Sequence, residues 1–127
     1  MPDAPTPDPS TTRLSLRVVF GDDAMLGPGK AELLERIRDT GSISAAGREM
    51  QMSYKRAWML VEEMNAIFRE PLVDSTRGGP NGGGARLTGA GQEVLAQYRA
   101  LEQVIRLEGA AQIAVLQGML RDMSGQK

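Results

Sequence analysis

The sequence predicts a mainly α (α+β) domain: a winged helix-turn-helix followed by a long C-terminal dimerisation helix. Three observations predict it. Two helix-forming stretches, Ser44 to Met50 and Ser53 to about Phe68, are separated only by Gln51 and Met52, the spacing of a helix-turn-helix. Behind them, RGGPNGGG (Arg77 to Gly84) breaks every regular element and stands between two short strand-like segments, as a wing tip does. From Gly89 to about Met123 the chain is free of proline and carries apolar residues at helical spacing.

Each element has its own justification. Residues 1–12, MPDAPTPDPSTT, are proline-rich and acidic and read as a disordered tail. In RLSLRVVF, Leu14, Leu16, Val18 and Phe20 alternate with Ser15, Arg17 and Val19, which predicts a strand over Arg13 to Phe20. GDDAMLGPG reads as a turn. Lys30 to Thr40 is expected to be helical, with Leu33, Leu34 and Ile37 inward and Gly41 as the stop. Ser42 or Ser44 is available to cap the next helix.

In the second motif helix Ala57, Val61, Met64 and Phe68 step by 4, 3 and 4, flanked by Leu60 and Ile67. Leu72 to Thr76 and Ala85 to Thr88 are the two strands of the wing, which closes a winged helix-turn-helix over residues 13–88. Residues 89–127 form the long helix and its tail, with Thr88 as a candidate cap. Val94, Tyr98, Leu101 and Ile105 make a heptad-like seam that lapses at Gly109-Ala110-Ala111 and resumes at Ile113, Leu116 and Leu120. Either the helix breaks at Gly109 or the small residues admit a close neighbour.

Composition excludes several classes of function. The 127 residues contain no cysteine and no histidine, which removes disulfides, Cys/His zinc sites and nucleophiles that depend on a histidine base. The carboxylate pairs Asp22-Asp23 and Glu62-Glu63 read as a turn and a solvated helix face, and the eight methionines as gap-filling packing. The glycine loop lacks the Gly-Lys-Ser/Thr ending of a nucleotide-binding loop. No enzyme activity, cofactor or metal is expected. There is no basic leader with an apolar core and no membrane-length apolar run, so the expectation is a cytoplasmic protein with no membrane partner.

GPGKAELLERI, GSISAAGREMQMSYKRAW with EEMN behind it, and the wing STRGGPNGGGARLTGAGQ closely resemble the N-terminal domain of the ModE family. The resemblance covers roughly Leu14 to Leu107. The helix-turn-helix layout is shared with LysR-type regulators. SYKxAW followed by a GGxxGGGAxLT wing is far more specific. ModE proteins are molybdate-responsive transcriptional regulators, so the resemblance implies a winged-helix DNA-binding domain that dimerises through helices. Full-length members continue into oxyanion-binding small barrels, each far longer than the stretch from Leu107 to Lys127. The resemblance therefore carries over DNA binding and not molybdate binding. Any molybdate response is expected to come from a separate molybdate-binding protein.

The chain's formal charge of −1 argues against DNA until it is resolved by position. Between Arg48 and Arg86 there are six basic and five acidic residues, and the bases gather at the start of the second motif helix and at the wing. Ser53, Tyr54, Lys55, Arg56 and Met59 stand off the buried stripe at the end of the helix that enters a major groove, where Lys55 and Arg56 match guanine edges. Ser42 and Ser44 serve as caps and phosphate contacts. Arg77, Asn81 and Arg86 hold the sugar-phosphate edge from the wing. Trp58, the only tryptophan, is expected to pack partly in the core, with an indole N–H that needs a partner if buried.

The expected partners are an operator in double-stranded DNA and a second copy of the chain, with Val94, Tyr98, Leu101, Ile105, Leu116 and Leu120 at the dimer contact. The competing expectation is a winged-helix protein–protein interaction module.

Overall fold

The computed structural model describes residues 12–77 and 83–121. The chain falls into two compact units, one built from Leu16–Arg99 and the other from the two chain ends, up to Ser15 and from Ala100 onward. The elements of the first are β1 (Val18–Phe20), β2 (Ala24–Leu26), α1 (Pro28–Thr40), α2 (Ile43–Glu49), α3 (Tyr54–Ile67), β3 (Val73–Arg77) and β4 (Gly83–Leu87). Then α4 (Gly89–Glu108) contributes to both units, and α5 (Ala110–Gly118) belongs to the second. This is a mainly α winged helix-turn-helix.

The predicted N-terminal strand is shorter than its alternation suggested. Residues 12–17 are irregular, and β1 pairs antiparallel with β2, Val18 opposite Leu26, through a turn with Gly21 at φ 69°. The segment read as a turn thus contains a strand. Ala24-Met25-Leu26 is too short to show a period between two runs of turn residues, and only the partner strand reveals it. Lys30 fastens this hairpin. Its ammonium is almost buried, donates to Met25 O at 3.0 Å and pairs with Glu63 at 3.3 Å.

Helix α1 starts on Pro28, where the missing N–H costs nothing, and stops at Gly41 in the left-handed region, φ 74°. Its apolar stripe of Leu33, Leu34 and Ile37 is fully buried against Ile43 and Ala46 of α2, Ala57, Val61 and Met64 of α3, and Leu72. Arg36 joins α1 to α2, bonded to both Glu32 and Glu49. These two carboxylates hold its guanidinium above the ordinary value.

The turn between α2 and α3 passes through Gln51 at φ 60°, a left-handed residue other than glycine. Asn65, near the end of α3, accepts from the backbone N–H of Leu72 at 2.8 Å and of Val73 at 3.1 Å, so its side chain sets where the wing begins.

Strands β3 and β4 pair antiparallel from Val73 opposite Leu87 to Arg77 opposite Gly83. On the other edge of β4, Ala85 N donates to Gly41 O at 2.9 Å, so the wing is also tied to the end of α1. Thr88 caps α4 by accepting from Gly91 N at 3.0 Å, while its hydroxyl donates to Pro71 O at 2.7 Å. Gly91 lies against Leu72, where a Cβ would fall 2.1 Å from the carbonyl oxygen.

The buried ridge of α4 within the first unit is Gly91, Leu95 and Tyr98. The predicted seam named Val94 and Tyr98. Val94 is only half-buried, and Leu95 takes the inner position. Tyr98 needs a correction: its ring is 2 % exposed and its hydroxyl donates to Leu16 O, so it belongs to the core of its own chain and offers no surface to a second one. Arg99 pairs with Glu35 of α1 at 2.8 Å.

In the second unit the helical stretch breaks at Gly109, as one of the two expectations had it. No residue of α5 is buried. Val115, Leu116, Met119 and Leu120 are exposed, as are Leu101, Val104 and Leu107 on α4. Ile105 and Ile113 are half-buried. No helix among the described residues is long and apolar enough to cross a membrane.

Candidate nucleic-acid interface

The candidate surface is built by the start of α2, the first turns of α3 and the wing strands. Ser53 is the N-cap of α3: its hydroxyl oxygen accepts from Arg56 N at 3.0 Å. This cap fixes the first turn, so Tyr54, Lys55 and Arg56 all stand exposed at the helix start while Ala57 is fully buried behind them. Met59, one turn on, is 43 % exposed. Met59 thus continues the open face that Lys55 and Arg56 begin. Glu62 and Glu63 are exposed further along, and Glu63 is drawn toward Lys30.

Ser42 caps α2, accepting from Ala45 N at 3.0 Å, and is itself positioned by Thr40, whose hydroxyl donates to Arg36 O at 2.7 Å and accepts from Ser42 N at 3.2 Å. Ser44 is half-buried on the same side. Because β4 is bonded to Gly41, this serine pair lies next to the wing rather than apart from it. Ser42, Ser44, Tyr54, Trp58, Thr76 and Gly84 line one cleft of about 80 Å³.

On the wing, Arg86 is exposed and sits across the ladder from Asp74. The backbone of Arg77 ends β3, paired with Gly83. Asn81 lies outside the described residues. The structure therefore groups Ser42, Ser44 and Tyr54 around one cleft and displays Lys55, Arg56 and Met59 beside it.

Trp58 packs against the core, as its position predicted, and touches the Tyr54 ring edge-on at 6.1 Å between centroids. Its indole nitrogen is buried with no acceptor among the described residues. Sequence reasoning did not find Thr76 and Gly84 as cleft residues. They reach it only through the register that sets Thr76 opposite Gly84, with Thr76 Oγ1 accepting from Gly84 N at 3.1 Å. Nor is there a metal-binding group of histidine, cysteine or carboxylate side chains among the described residues.

Residues 29–92 match the family model of the bacterial regulatory helix-turn-helix proteins of the LysR family, a span from the first turn of α1 to the first turn of α4. The chain belongs to the LysR family of bacterial regulatory helix-turn-helix proteins. Within that family its helix-turn-helix is ModE-like. It is 48% identical over 79 residues to the molybdenum-pterin-binding protein MopB of Rhodobacter capsulatus, a match covering 62% of this chain and 29% of the relative. It is 40% identical over 95 residues to the molybdenum transport protein ModE of Azotobacter vinelandii, covering 73% and 35%. It is 40% identical over 77 residues to the DNA-binding transcriptional dual regulator ModE of Escherichia coli K12, covering 61% and 29%. The chain thus spans about a third of the length of these relatives, and the shared third holds the LysR-type helix-turn-helix and the wing described above.

Proposed function

We propose that this chain is the DNA-reading part of a dimeric, sequence-specific transcriptional regulator in molybdenum-related gene control. The observation that carries the reading is the exposed first turn of α3. Lys55 and Arg56 are held outward by the Ser53 cap, on a helix whose opposite face is locked into the core. In the groove, Lys55 and Arg56 read base edges, each good pair contributing roughly 1–3 kcal/mol of discrimination. Ser42, Ser44, Arg77, Asn81 and Arg86 hold the backbone and set the register. Relatives named for molybdenum transport and for DNA-binding transcriptional regulation support the link.

The dimer rests on the apolar residues of the second unit. Leu107, Leu116, Met119 and Leu120 are each at least half exposed, and α5 buries none of its side chains, an arrangement a second copy relieves by covering that surface. Leu101 and Ile105 extend the same contact. Two recognition helices then address half-sites roughly 34–36 Å apart.

Gel-shift titration tests the reading. Lys55→Ala and Arg56→Ala are expected to remove most of the preference for the operator over random duplex while leaving salt-dependent non-specific binding largely intact. Unchanged operator affinity in both variants refutes the recognition model. Absence of salt-dependent duplex binding by the wild type favours the protein-interaction module instead. Leu116→Asp is expected to shift the protein to a monomer in analytical ultracentrifugation.

A further inference from the structure

We propose that the cleft between α2, α3 and the wing is a phosphate seat, in which the Trp58 indole N–H donates to a non-bridging oxygen of one DNA backbone phosphodiester. The proposal rests on the DNA-binding reading and adds to it a residue that is neither a base reader nor a wing arginine.

Four observations converge. The Trp58 Nε1–H is buried and has no acceptor among the described residues, although a buried donor normally has one. An indole nitrogen only donates, so the missing partner is an acceptor, which excludes a cation or an ammonium group. The Ser44 hydroxyl adds a further donor, yet no Asp, Glu, Lys or Arg lines the cleft. Such a neutral, donor-bearing lining suits the single, shared charge of a phosphodiester. A free dianion such as inorganic phosphate calls for cationic partners that this cleft lacks. Finally, about 80 Å³ is far below the roughly 300 Å³ of a small-molecule pocket and admits only a small group.

Position names the source of that group. The cleft opens beside Tyr54, Lys55 and Arg56 on one side and the wing on the other, the interval a duplex backbone crosses when α3 lies in a major groove. Tyr54 is the movable wall. The residue is 64 % exposed and its ring packs edge-on against the indole, so a rapid rotamer change uncovers the N–H as the backbone arrives. Lys55 and Arg56 do not line the cleft and remain free for the base edges.

Trp58 is the only tryptophan, so a ¹⁵N-labelled sample of the full chain shows a single indole cross-peak. Titration with a random-sequence duplex at low salt is expected to move that peak downfield and to slow its exchange with solvent. Inorganic phosphate at the same concentration is expected to leave it in place. Trp58→Phe keeps an aromatic side chain, smaller than the indole, and loses the donor. It is expected to weaken operator and random duplex alike by about ten- to a hundredfold, the worth of a hydrogen bond to a charged acceptor. A duplex that binds while the wild-type indole peak stays still overturns the phosphate seat and leaves the recognition model standing. Failure of the wild type to bind duplex at all overturns both. An equal response to inorganic phosphate overturns the assignment to DNA. Because the indole signal is read on the wild type, these outcomes do not depend on the variant folding.

Discussion

Gly47 and Ala57 meet where α2 crosses α3: a Cβ placed on Gly47 falls 2.8 Å from the Cβ of Ala57, nearer than two carbons can approach. The two helices of the motif therefore touch backbone to side chain with nothing between them, and their crossing is set by the absence of one methyl group. Gly47→Ala gains roughly 1 kcal/mol in helix propensity and loses about 1–3 kcal/mol to overpacking. The expected outcome is a net loss of stability in urea denaturation, larger for Gly47→Val, together with weaker operator binding. An unchanged midpoint in both variants would show that the crossing is free to widen.

The turn that follows carries Gln51 at φ 60°. For a side chain with a Cβ this costs roughly 1–2 kcal/mol, and glycine removes most of that while adding about 0.5–1 kcal/mol of unfolded-state entropy. Gln51→Gly is therefore expected to be neutral to slightly stabilising, and Gln51→Val to be destabilising. Thermal melts of the pair decide it, and a stabilised valine variant contradicts the strain argument.

Asn65 holds two backbone N–H groups, those of Leu72 and Val73, in the corner between α3 and the wing. Asn65→Ala strands both donors in a partly buried site and is expected to cost roughly 2–4 kcal/mol. Asn65→Asp retains the accepting oxygen, so it is expected to lose less. Amide hydrogen exchange at Leu72 and Val73 gives the direct reading: protection lost in the alanine variant and largely kept in the aspartate one.

Gly91 allows the first turn of α4 to lie on the Leu72 carbonyl, with room for a hydrogen and not for a methyl group, whose carbon would sit 2.1 Å from the oxygen. The obstacle is main chain and cannot rotate away. Gly91→Ala is expected to destabilise the fold by roughly 2–4 kcal/mol, whereas Gly89→Ala, where a Cβ meets nothing within 4 Å, is expected to be harmless. Equal stability of the two variants would refute the contact.

What the sequence makes legible is what has a period or a stop. The stripe of Leu33, Leu34 and Ile37, the two serine caps and Gly41 all act within one or two helical turns, so the three helices of the reading head and the wing could be placed from residues alone. What it hides is set by contacts between distant segments. The strand at Ala24–Leu26 exists only because Val18–Phe20 lies alongside it. Leu95 rather than Val94 faces inward because the close seating of Gly91 fixes the rotation of α4. At the candidate site, the exposed Lys55 and Arg56 follow from the spacing of Ala57, Val61 and Met64. The cleft does not, since Thr76 and Gly84 join it through strand register and the bond from Ala85 to Gly41.

That same bond from Ala85 to Gly41 has a consequence for how the protein can be varied. Strand β4 is held on both edges, by β3 and by the end of α1, and the ladder closes on the pair Arg77 and Gly83. Lengthening the span between those two residues is expected to leave the ladder behind it in register. On the DNA-binding reading proposed above, a more basic tip there is expected to raise duplex affinity in a salt-dependent way.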